Sequence, residues 1–172
     1  MIVFGIDPGT TQSAYVEFDS ASKQILSHGK VDNFDILLLL QERFTVVCEM
    51  VQSFGMPVGS EIFQTVLWVG RFCECCRWVC CDFTTIHRGE IKDSLCHSRK
   101  ANDAAIRQRL IDLLGPPGTK KDPGVTYGIT NDRWQALAVV IAYLIRNENH
   151  LAPLVNGADG QSLPFLQDAP QT

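Results

Sequence analysis

Ile2-Val3-Phe4-Gly5-Ile6-Asp7 is an apolar run that ends in an acid, and Pro8-Gly9-Thr10-Thr11 follows it as turn chemistry. Ser13-Ala14-Tyr15-Val16-Glu17-Phe18 then alternates. A buried strand, a tight turn and a second strand make an antiparallel hairpin. Outward from it, Gln24 to Lys30 supplies a third strand and Asp35 to Arg43 a short helix. Thr45-Val46-Val47-Cys48-Glu49 is another apolar strand that ends in an acid. After a loop rich in Gly and Pro from Ser53 to Gly59, Ser60 is placed as the N-cap of a helix running to about Trp78. Asp82 to Ile86 makes a fifth strand. Asn102 caps a helix from Asp103 to Leu114, whose Ile106, Leu110, Leu113 and Leu114 follow helical spacing. Gly115-Pro116-Pro117 stops it, Lys120 to Gly128 is a loop, and Asn131 is placed as the cap of a last helix from Asp132 to about Arg146.

This order predicts an α/β fold: a five-stranded mixed sheet, three antiparallel strands then a parallel continuation, flanked by helices. That domain spans residues 1–147. Residues 148–172, with Pro153, Pro164 and Pro170 among many polar residues, are expected to form a flexible C-terminal tail.

At 172 residues and 45% hydrophobic content the chain suits one domain with a real core. A formal net charge of -4 argues against a general polyanion binder, but the charge is unevenly spread. From Met1 to Leu67 the basic residues are Lys23, Lys30 and Arg43; from Arg88 to Arg133 nine basic residues stand against six acids. The start lacks the basic and apolar regions of a signal peptide, and no apolar run approaches the ~20 residues of a membrane span. The expected location is cytoplasmic, where seven cysteines stay reduced. Five of them, Cys73, Cys75, Cys76, Cys80 and Cys81, crowd around Trp78. Zinc would call for paired Cys-x₂-Cys units on separate knuckles. Cys73, Cys76 and Cys80 instead share one helical face, which suits burial as small apolar residues.

Asp7 and Glu49 carry the first chemical signal. Each sits at the C-terminal end of an apolar strand, the edge at which α/β sheets bind ligands. A charge beside a core strand is costly unless something pairs with it, and a divalent cation would do so. Asp132 and Asp103 each open a helix, and acids from separate elements can converge into an oxygen-ligand site for Mg²⁺ or Mn²⁺. Other roles stay open. Asp7 before Pro-Gly also suits a turn, and Asp103 and Asp132 also suit helix N-termini through the macrodipole.

Phe4-Gly5-Ile6-Asp7-Pro8-Gly9-Thr10-Thr11-Gln12-Ser13 resembles the opening motif of the RuvC-type Holliday-junction resolvases, in the RNase H-like superfamily. Val46-Val47-Cys48-Glu49-Met50-Val51 resembles their second acidic strand, and Asn131-Asp132-Arg133-Trp134-Gln135-Ala136-Leu137-Ala138 their final acidic helix. The stretch from Ser53 to Gly59 and Gly115-Pro116-Pro117-Gly118-Thr119-Lys120-Lys121 look like the divergent resolvases of phages and prophages. The resemblance implies an endonuclease that cleaves four-way DNA junctions as a homodimer, leaving 5′-phosphate ends, in a bacterial or phage-infected cytoplasm. It implies two Mg²⁺ ions about 3.5–4 Å apart clamping one phosphodiester, with Mn²⁺ as a substitute. Asp7, Glu49 and Asp132 carry over as metal ligands. The family's second helical acid falls on Gln135 here, so either Asp103 or the Gln135 amide completes the set. Arg88, Lys92, Arg99 and Lys100 are the implied phosphate contacts, and Phe54 a candidate wedge in the junction. Two other outcomes remain: a non-cleaving relative, or an actin-like ATPase or sugar kinase, whose phosphate turn shares the Gly-Ile-Asp-x-Gly-Thr-Thr pattern.

Overall fold

Period-two alternation decides which side of the sheet each strand residue serves, and the two apolar strands take its centre. The structure, a computed structural model, describes residues 1–40, 45–53, 55 and 57–147. The expected tail over 148–172 and the candidate Phe54 lie outside the described residues. β1 (Ile2–Asp7) pairs antiparallel with β2 (Gln12–Asp19), which pairs antiparallel with β3 (Gln24–Asp32). β4 (Thr45–Met50) lies parallel to β1, and β5 (Asp82–His87) parallel to β4. The order β3-β2-β1-β4-β5 is the mixed sheet expected from the sequence. β1 and β4 read as unbroken apolar runs because helices cover both of their faces.

One face carries α1 (Asn33–Leu39) and α2 (Ser60–Trp78); Phe4, Ile6, Val46 and Cys48 meet Ile36, Trp68, Val69, Phe72 and Cys76 there. The other carries α3 (Arg88–Cys96), α4 (Asp103–Leu114) and α5 (Arg133–Arg146), packed on Val3, Val16, Phe18 and Val47. Alternation therefore sends Val3, Gly5 and Asp7 of β1, and Val47 and Glu49 of β4, to the α5 face. Gly5 lets α5 close on β1: a Cβ there would overlap the Val140 side chain and stand 2.6 Å from the Ala136 carbonyl oxygen.

Three local expectations change. Ser60 is the first helical residue of α2, not its cap; Gly59 takes the cap position in an extended conformation. Asn131 does not cap α5. It lies in the left-handed region at φ 49°, and Asp132 takes the N-cap position. α3 had no counterpart in the sequence reading, because its Arg-Gly-Glu opening lacks a Ser, Thr, Asp or Asn cap; Glu90 Oε2 instead accepts from the His87 backbone N–H at 2.9 Å. Asn102 caps α4 as expected, its side chain accepting from Ala105 N at 2.9 Å. α1 ends at Leu39, short of the expected Arg43, which lies outside the described residues. Among the described residues no helix is long and apolar enough to cross a membrane.

Candidate metal and nucleic-acid site

Ile6 stands beside Cys48 in the parallel register of β1 and β4, so Asp7 and Glu49 leave neighbouring strand ends toward the same face. α5 begins over that rim, with Asp132 at its N-cap and Gln135 one turn along. The chain leaving Asp7 is pinned by buried polar groups. Ser13 Oγ accepts from Gly9 N at 3.2 Å and donates to Asn33 Oδ1 at 2.6 Å, and Asn33 Nδ2 donates to the Gly9 carbonyl at 3.0 Å.

The Asp7 carboxyl makes no hydrogen bond or ion pair among the described residues. Its pKa is pushed up to about 7, first by burial and then by Glu49 and Asp132, against the pull of Arg88 and Lys30. Burial also raises Glu49, with Arg88 opposing. Asp7 is thus the acid left without an ion-pair partner among the described residues, while Glu49 is held by Arg88.

Two side chains supply what there is. Arg88, the first residue of α3, donates through Nη1 to Glu49 Oε2 at 3.3 Å and to Gln135 Oε1 at 2.5 Å, and through Nη2 to Asp103. Lys30 of β3 meets Asp132 Oδ2 at 2.5 Å, with both side chains half exposed. Ser13 closes the opening motif, but neither Lys30 nor Asn33 lies in a sequence motif. Each is recruited by strand register and turn packing from a distant segment.

Carboxylate and amide oxygens are the donors that Mg²⁺ and Mn²⁺ prefer, and unpaired Asp7 is where a divalent ion would relieve the most repulsion. The residues fit the ion in kind. In the arrangement described, no three His, Cys, Asp or Glu side chains among the described residues are gathered tightly enough to grasp one ion, while Arg88 and Lys30 hold Glu49, Asp103 and Asp132 in ion pairs. Asp103 is exposed at the start of α4 and reaches the cluster through Arg88.

The basic candidates divide. Arg88, Lys92 and Arg99 line one open cleft of about 520 Å³, while Lys100 is exposed outside its wall. A second open cleft, about 790 Å³, separates the starts of α4 and α5; Asp103, Asp132, Gln135 and Arg107 line it. Arg107 sits 5.0 Å over the Trp134 ring. Its one sequence signal was membership of the basic half. The cysteines form no site with histidine or acids among the described residues. Cys76 is buried and Cys73 partly so, but Cys80 lies beyond the end of α2, exposed, at φ 55°.

No family model and no curated protein matches the sequence. Solved structures do match: the chain has the RNase H-like fold of RuvC. The Thermus thermophilus RuvC structure superposes with a TM-score of 0.67 at 15% identity, covering 87% of this chain and 96% of that one. Thermus thermophilus RuvC in complex with Holliday junction substrate gives the same values. At this identity the likeness is one of fold.

Proposed function

We propose that the protein is a divalent-cation-dependent endonuclease acting on branched DNA, with four-way junctions as substrate. One observation carries this reading: Asp7 and Glu49, on adjacent central strands, stand together at the start of α5, Asp7 with no ion-pair partner among the described residues and Glu49 held by Arg88, beside a cleft walled by Arg88, Lys92 and Arg99. The shared fold with RuvC, one of whose structures holds a Holliday junction, supports the choice of substrate.

Asp7, Glu49 and Asp132 would hold Mg²⁺, or Mn²⁺ in its place. The ion, when bound, supplies Lewis-acid activation of water and neutralises charge developing on the phosphate. The chain's residues do the rest. Lys92 and Arg99 hold backbone phosphates and position the strand without reading its sequence. Lys100 extends that basic surface. The Ser13–Asn33 network fixes the turn that aims Asp7. Cutting two opposed strands needs two copies of a chain that carries one site, so the working unit is a two-fold dimer.

The test is cleavage of four-way, forked and linear DNA with and without Mg²⁺. The junction should be cut only with the ion, and Asp7→Asn and Glu49→Gln should lose cutting while keeping junction binding. ATP hydrolysis in place of cutting would overturn the proposal, as would junction binding without cutting by the unmodified chain.

A further inference from the structure

The Arg88 guanidinium sits inside the carboxylate cluster rather than on open surface. It bonds oxygens from three elements: Glu49 of β4, Gln135 of α5 and Asp103 of α4. Three oxygens converging from separate elements are what a metal ion would bind, and here a planar, permanently charged fork takes them. We propose that Arg88 occupies the place of a second cation, so that the site takes one divalent ion rather than the two that the family resemblance implies; this rests on the divalent-cation reading above.

Two further observations support the assignment. Gln135 brings no charge to this half of the site, and its oxygen is already spent on Arg88 at 2.5 Å. Asp7, by contrast, has no ion-pair partner among the described residues and faces Asp132 and Glu49, so that is the side on which a divalent ion would relieve repulsion. Charge counting agrees. Asp7, Glu49, Asp103 and Asp132 bring four negative charges, and Arg88, Lys30 and Lys92, whose charge acts on Glu49, return three positive ones. One divalent ion already offsets the remaining negative charge; a second would add two more positive charges against a guanidinium that cannot shed its proton. A second ion would also have to displace Arg88 from Glu49, where both side chains are mostly shielded from solvent (28% and 13% exposed). Arg88 also lines the cleft with Lys92 and Arg99, so it can meet a phosphate without leaving its carboxylates.

The test is Mn²⁺ binding to the full chain, by titration calorimetry and by the electron paramagnetic resonance of bound Mn²⁺. Each is run alone and with a four-way DNA junction in samples frozen before turnover. The unmodified chain should bind one Mn²⁺ per copy and give an uncoupled signal in both states. Arg88→Gln should admit a second Mn²⁺ at least tenfold more tightly than the unmodified chain does, with spin coupling between the pair. Arg88→Lys, which keeps the charge, should stay at one. Two coupled ions in the unmodified chain would overturn this inference and leave the divalent-cation reading standing. No bound Mn²⁺ in either state would overturn both. A folded Arg88→Gln chain that still takes only one ion would also overturn it. If that variant does not fold, the counts for the unmodified chain and Arg88→Lys decide.

Discussion

α5 and α2 cover opposite faces of one sheet and do it differently. Nine of the fourteen residues of α5 are buried, against five of the nineteen in α2. α5 comes down on small side chains, Ala136 and Val140 over Gly5, so its backbone lies close to β1. α2 rests on large ones, Trp68, Val69 and Phe72, and leaves Phe63, Val66 and Leu67 exposed. The close helix carries Asp132 at its cap and Gln135 one turn along, above the strand ends that carry Asp7 and Glu49. A misplacement of about 1 Å can cost ~100-fold in rate, so reacting groups gain from a helix that cannot shift. The distant helix carries none of the candidate acids and leaves apolar side chains exposed on its outer side.

The close face also holds the least comfortable charge in the fold, and removing it gives the largest expected effect. The Asp7 carboxyl releases its proton at about 7 when folded, against 3.8 for the ordinary group. A raised carboxyl pKa stabilises the folded state below the unfolded value, and that contribution is lost as pH rises through the folded one. In chelator, the unmodified protein should therefore lose stability between about pH 4 and pH 7. Asp7→Asn should escape that loss, with a gain over the unmodified chain near zero at pH 4 and up to about 4 kcal/mol at pH 8. Urea melts at both pH values measure it. Equal stabilities at pH 8 would show that the acid is not under strain. The same substitution should abolish cleavage, so one residue would trade stability for function.

One substitution should have opposite signs on the two faces. Gly5→Ala forces a methyl group into Val140 and the Ala136 carbonyl, and should cost about 2–3 kcal/mol with a fall in cleavage as α5 is lifted. Gly70→Ala on α2 meets nothing within 4 Å, and should stabilise by roughly 0.5–1 kcal/mol through helix propensity alone. Thermal unfolding of both proteins settles the contrast. Destabilisation by both would mean that α2 is as tightly seated as α5.

Much of this architecture was legible in the sequence. The hairpin, the two acid-ended strands and the α4 period are local patterns, and Asn102 caps α4 as its residue type suggests. α3 was hidden because its start relies on His87 and Glu90. The acids were visible as strand-end charges, but their neutralisation was not. Lys30 is 102 residues from Asp132, and Arg88 is 39 from Glu49 and 47 from Gln135. Such pairings exist only after the sheet closes. Arg88 was legible as a positive charge in a basic half, with nothing local to say that it turns inward.

The smallest expected effect concerns the outer side of α2. Leu67 and Phe63 are 56% and 66% exposed, so charging either should change the stability of an isolated copy by no more than about 0.5 kcal/mol. A residue that leaves more than half of its surface in solvent loses little packing when charged. If a second copy covers this patch, Leu67→Asp is felt only in the assembly, because a two-fold interface places the new charge opposite itself. Sedimentation should then show folded monomers where the unmodified chain is dimeric, and junction cutting should become uncoordinated, with nicked intermediates building up. A loss above ~2 kcal/mol in an isolated copy would mean that Leu67 is a core position, on the scale of buried leucines, and the contrast between the faces would fail. An unmodified chain that stays monomeric at micromolar concentration, with and without junction DNA, would keep the contrast and remove the dimer.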